Sequence, residues 1–127
     1  MMSKDNQWVW IHSKEELKPY KSYPEYLDHN GKWIIYGPKE AIEDIGYKML
    51  DIVGKDNILE AKFSRNPALV VPDGYLLGKD HALIAYCDDR NKESVKRKLK
   101  DSLGVGSMFW KYDRDTLREI SERSVHD

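Results

Sequence analysis

With one cysteine, Cys87, in 127 residues the chain has no intramolecular disulfide, and its four scattered histidines offer no zinc-ligand spacing. Long apolar runs are missing as well. No stretch approaches the ~18 apolar residues of a membrane span, and Met1-Met2-Ser3-Lys4-Asp5 leads into no signal-peptide core. A cytoplasmic location without a membrane partner is therefore expected. Nor is there an excess of one charge. The 21 basic and 22 acidic side chains leave a formal net charge of −1, so any pull on phosphate has to come from a local patch. There is no P-loop and no nucleophile elbow, and Gly104-Val105-Gly106 precedes a strand where a dinucleotide loop would precede a helix. No cofactor and no metal are expected.

What is present fits one domain over residues 1–127, with a core from about 7 to 121 and frayed ends at 1–6 and 122–127. Charged residues make up 34% of the chain, and four tryptophans and eight tyrosines bear on both packing and ligand stacking.

Gln7 to Ile11 reads as a short strand. Ser13 with Glu16, and Ser22 with Glu25, form two capping boxes; Pro19 stops the first helical turn and Asn30-Gly31 ends the second. Lys32 to Tyr36 is a strand, and Gly37-Pro38 launches a helix whose Ile42, Ile45, Met49, Ile52 and Val53 share one face up to Gly54. A strand from Ile58 to Ser64 points Leu59, Ala61 and Phe63 one way and Glu60, Lys62 and Ser64 the other. Residues 65–80, with two prolines and two glycines, are long for a connection and read as a lid or binding loop. The strand His81 to Cys87, a helix from about Asn91 to Leu103 closed by Gly104, the strand Met108 to Tyr112 and a last helix capped by Asp113 complete the pattern.

From residue 32 to 112 this order is a split βαβ unit. It predicts an α+β domain with a largely antiparallel sheet, two helices on one face and the other face open. Three strands each carry one lysine in an apolar or aromatic run: Lys32, Lys62 and Lys111. If Trp33, Ile35, Ala61, Phe63 and Phe109 point to the helices, strand parity turns these lysines to the open face, where they can hold a phosphate. Trp110 and Tyr112 then fall on the covered side. Arg65 can add a bidentate fork or be an ordinary loop charge. His81 can serve as a general acid or be structural. The basic cluster Lys92, Lys96, Arg97, Lys98 and Lys100 reads as a solvated helix face.

Gly31-Lys32-Trp33, Ala61-Lys62-Phe63-Ser64, His81-Ala82-Leu83-Ile84-Ala85-Tyr86 and Trp110-Lys111 with Asp113 occur in the order and spacing of the basophilic leukaemia-expressed protein family, which the chain resembles over roughly residues 30 to 115. The resemblance implies a fold similar to the cap-binding translation initiation factor 4E. Trp110-Lys111-Tyr112 with Arg114, Leu117 and Arg118 also resembles a basic segment of the bacterial effector phosphothreonine lyases. That resemblance implies β-elimination, with Lys62 as base, His81 as acid, and Lys32, Lys111 and Arg114 as phosphate holders. Where those enzymes carry a Lys-x-His pair, this chain has Ile34 two residues after Lys32.

Two functions follow. One is binding of a phosphorylated peptide or small phosphorylated ligand, with or without lyase chemistry. The other is non-catalytic binding of RNA or a nucleotide whose bases stack on Trp33 or Trp110.

Overall fold

Strand alternation and helix caps are the local signals that set the architecture. Residues 1–126 are described by a computed structural model, with side chains through Glu122. Among them the elements run β1 (Met2–Lys4), β2 (Trp8–His12), α1 (Tyr23–His29), β3 (Asn30–Gly37), α2 (Lys39–Lys48), β4 (Glu60–Ser64), β5 (His81–Asp88), α3 (Lys92–Leu103), β6 (Phe109–Tyr112) and α4 (Asp113–His126). Ser22 caps α1 by accepting from the Glu25 amide, and Gly104 closes α3 at φ 69°. The turn expected at Ser13 does not form a helix. Ser13 Oγ accepts from the Glu15 amide in place of the Glu16 amide, and the segment runs irregularly to α1.

All six strands join one sheet in the order β1-β2-β4-β5-β3-β6, with every neighbouring pair antiparallel. The strands β4-β5-β3-β6 stand as the split βαβ requires, with β5 between the parallel β3 and β4. Residues 1–6, expected to fray, include β1, which pairs Met2 with Ile11 and Lys4 with Val9. At the other end α4 extends to His126, and the fraying expected over 122–127 falls, from residue 123 on, outside the described side chains.

One face of the sheet builds the main core. Val9, Ile11, Trp33, Ile35, Ala61, Phe63, Leu83 and Ala85 pack there against Ile42, Ile45 and Met49 from the α2 region and Val95, Leu99 and Leu103 of α3. Both helices therefore lie on the same side. Phe109 does not join them. Ile34 pairs with Phe109 and Lys32 with Lys111, so Phe109 and Lys111, two residues apart, share the lysine face. The expectation of an open second face is also corrected, because α4 and α1 partly roof it: Asp113 bonds Lys32, Glu119 bonds Lys111, and Tyr26 donates to Asp113.

Gly46 of α2 is where the main core is tightest. A Cβ there would lie 2.4 Å from Phe63 Cδ1, and Phe63 is itself buried beneath the edge of Tyr47. Alanine gains about 1 kcal/mol of helix propensity over glycine, whereas overpacking costs about 1–3 kcal/mol. Gly46→Ala is thus expected to lower the urea midpoint; a midpoint above wild type would show that Phe63 has room to retreat.

Candidate functional site

On the second sheet face the register sets Trp10, Lys62, Ile84, Ile34 and Phe109 in one row across the strands, with Glu60, Tyr86, Lys32 and Lys111 in the next. Lys32, Lys62 and Lys111 line a single cleft of about 320 Å³, walled by α4 on one side and by Asn66 to Val70 of the 65–80 loop on the other. Parity does bring the three lysines together. Ammonium groups from β3 and β4 converge over Tyr86, with Lys32 Nζ 5.6 Å and Lys62 Nζ 5.8 Å from its ring centroid.

The three are not equivalent. Lys32 is 4% exposed and donates to Asp113 Oδ1 at 2.9 Å. Burial, then the charges of Lys62 and Lys111, pull its pKa down to about 8, while burial raises that of the Asp113 carboxyl. Lys111 donates to Glu119 at 2.7 Å. Lys62 has no carboxylate within ion-pair distance among the described residues. It sits over the indoles of Trp8 and Trp10, 4.1 and 4.5 Å from the centroids. Burial lowers its pKa, against the opposing charges of Asp5 and Glu60. Two of the three cations are therefore matched by α4 carboxylates, and among the described residues Lys62 is the cation of the cleft without an ion-paired carboxylate.

Other residues expected at the site lie elsewhere. His81 is buried, keeps the parity of Leu83 and Ala85, and therefore faces the helices, with Nδ1 3.2 Å from the Ser64 carbonyl. It does not face Lys62. Arg65, beyond the end of β4, is exposed and donates to the Asp5 carbonyl at 2.6 Å. Arg114 donates to the carbonyls of Leu27 and Asp28 and lies 3.9 Å above the Tyr112 ring, so it closes the end of α1.

Trp33 is 4% exposed, donates to the Lys92 carbonyl and meets Trp110 edge-on at 5.3 Å. Trp110 is half-buried, packs on Gly31 and has Lys92 Nζ 5.0 Å from its ring. Both therefore lie on the helix-covered side. The tryptophans on the lysine face are Trp8 and Trp10, and their alternation with Val9 and Ile11 is the sequence signal for it.

Two further features come from tertiary placement. Thr116 lines the cleft from α4, and its hydroxyl is buried without a hydrogen-bond partner among the described residues. Its sequence signal is the spacing Asp113, Thr116, Glu119, which puts all three on one helix face. Separately, His29, Asp88 and Asp89 bring potential metal-ligand atoms within 4.8 Å of one another. Arg90 already forks onto Asp88 there, and His29 and Tyr112 engage Asp89. Protein cations and donors thus already engage both carboxylates.

No family model matches this chain, and no curated protein matches it. Among the described residues no helix is long and apolar enough to cross a membrane.

Proposed function

We propose that this protein binds a phosphorylated ligand in the cleft of Lys32, Lys62 and Lys111. The observation that carries the reading is that lysines from three strands line one cleft, with no carboxylate at ion-pair distance from Lys62 among the described residues. A phosphate oxygen at Lys62 would make a charge-assisted hydrogen bond in a half-buried setting, where it is stronger than in bulk water. Lys32 and Lys111 would supply field from behind Asp113 and Glu119. A six-stranded antiparallel sheet backed by two helices supports the further reading of a fold similar to translation initiation factor 4E.

Elimination of the phosphothreonine-lyase kind extends the same site. Lys62 would take the α-proton, the new double bond would expel the β-oxygen, and phosphate would leave. With His81 on the opposite side of the sheet, no histidine lines the cleft among the described residues. Binding without turnover is therefore the better supported half. Stacking of a nucleobase on Trp33 is opposed by the burial of that ring.

Calorimetric titration of the full chain with inorganic phosphate, a phosphothreonine peptide and adenosine monophosphate tests the reading. Phosphate is expected to bind and to lose affinity at high salt. Absence of heat with all three ligands would remove the proposed site. Mass spectrometry of the incubated peptide decides the enzymatic half: loss of phosphoric acid marks elimination, and an unchanged peptide leaves binding alone.

A further inference from the structure

We propose that the cleft takes a small phosphate monoester with an apolar organic part, its phosphate at Lys62 and the Thr116 hydroxyl, its organic part on Ile34 and Ile84 beneath Leu69 and Val70. This rests on the reading that the cleft binds phosphate, and it names the ligand class.

Size is the first reason. A cavity of about 320 Å³ lies at the lower end of the roughly 300–1,000 Å³ usual for small-molecule sites, enough for one small ligand and too little for a length of peptide.

The floor is the second. Ile34, Ala82 and Ile84 form an apolar cluster of their own on this face, separate from the main core, flanked by Trp8, Tyr36 and Ala68. A sugar or a peptide backbone laid there would bury polar groups with no partners, a penalty that an aryl or alkyl group avoids.

Thr116 is the third. Thr116 lines the cleft, and its buried hydroxyl has no protein acceptor or donor among the described residues, a partner that a phosphate oxygen reached by a turn of the side chain can supply. Charge is the fourth. Asp113 and Glu119 offset two lysines, so among the described residues one lysine is left to meet a phosphate, which suits the single phosphate of a monoester better than the several of a polyphosphate. At the mouth, Leu69 and Val70 are 82% and 75% exposed, and an apolar ligand body would cover them.

Titration of the full chain with inorganic phosphate, glycerol 3-phosphate, phenyl phosphate and hexyl phosphate separates head from body. Phenyl and hexyl phosphate are expected to bind at least tenfold tighter than the other two. Leu69→Ser/Val70→Ser, at exposed positions that leave the fold intact, should erase most of that preference while leaving inorganic phosphate unchanged. Thr116→Val, which keeps shape and removes the hydroxyl, should weaken all four ligands by a similar severalfold factor. Equal affinity for glycerol and phenyl phosphate overturns the apolar body and leaves the phosphate site standing. A Thr116→Val variant that binds like wild type overturns the placement of the head. If none of the four binds, both the inference and the reading beneath it fall.

Discussion

Asp113→Ala is expected to destabilise the protein by about 3–5 kcal/mol, the usual cost of leaving one member of a buried ion pair alone. The side chains of Lys32 and Asp113 are 5% and 15% exposed, so water cannot replace the lost carboxylate. Tyr26 loses its acceptor in the same variant. Replacing both members, as in Lys32→Met/Asp113→Leu, is expected to recover most of the loss, because apolar side chains of similar size carry no desolvation penalty.

The pH dependence has a definite sign. Lys32 titrates at about 8 in the folded protein and near 10.4 when unfolded. Between those values the unfolded chain holds the extra proton, and this group's contribution to stability rises with pH. Asp113 is raised instead, so its contribution rises as pH falls through that raised value. Without Asp113, Lys32 loses a favourable charge and releases its proton at still lower pH. The gap between wild type and Asp113→Ala should therefore narrow as pH rises toward 8. Urea unfolding at pH 6.5 and 8 measures it. A loss below 1 kcal/mol at both values would mean that the pair is not sealed from water.

Lys62→Ala is expected to weaken phosphate-ester binding by roughly ten- to a hundredfold. A charge-assisted hydrogen bond contributes about 1.5–3 kcal/mol, and about 1.4 kcal/mol is one decade of affinity. Stability should fall by no more than about 2 kcal/mol, because Lys62 has aromatic rings as close partners, contacts of about 0.5–1 kcal/mol at exposed sites and about 2 when desolvated, and removing it also relieves the cost of burying its charge. Lys62→Arg separates two roles. A binding site keeps its charge and part of its affinity, whereas a general base is lost because arginine holds its proton. Unchanged affinity in Lys62→Ala, measured calorimetrically with phenyl phosphate, would move the anion away from Lys62.

Much of the site's wall is legible in strand parity. Lys62 alternates with Ala61 and Phe63, and Lys32 with Trp33, so the two lysines leave the core together. The same parity, carried along β6, sets Phe109 beside Lys111, and carried along β5 it turns His81 away from Lys62. Placing Phe109 with the core and His81 with the lysines therefore breaks a rule that the chain itself obeys. The path of α4 is different in kind. A strand ending at Tyr112 can send the following helix to either side, and only the fit of Asp113 on Lys32 and of Glu119 on Lys111 shows which side it takes. The Ser13 turn fails for a third reason. A capping box supplies two reciprocal hydrogen bonds at most, too little to hold a single helical turn without an apolar face to dock.

From sequence alone come the elements other than β1, the caps other than the one at Ser13, the α+β class and the split βαβ order, because each depends on periods of two or 3.6 residues and on conformations at single residues such as Ser22 and Gly104. The tertiary structure alone decides that the lysine face is roofed, that two of its three cations are already matched by carboxylates, and that Thr116 faces the remaining one's cleft. Such pairings join residues 81 apart in the case of Lys32 and Asp113. They follow from how whole elements pack and shed water, which no local period in the chain encodes.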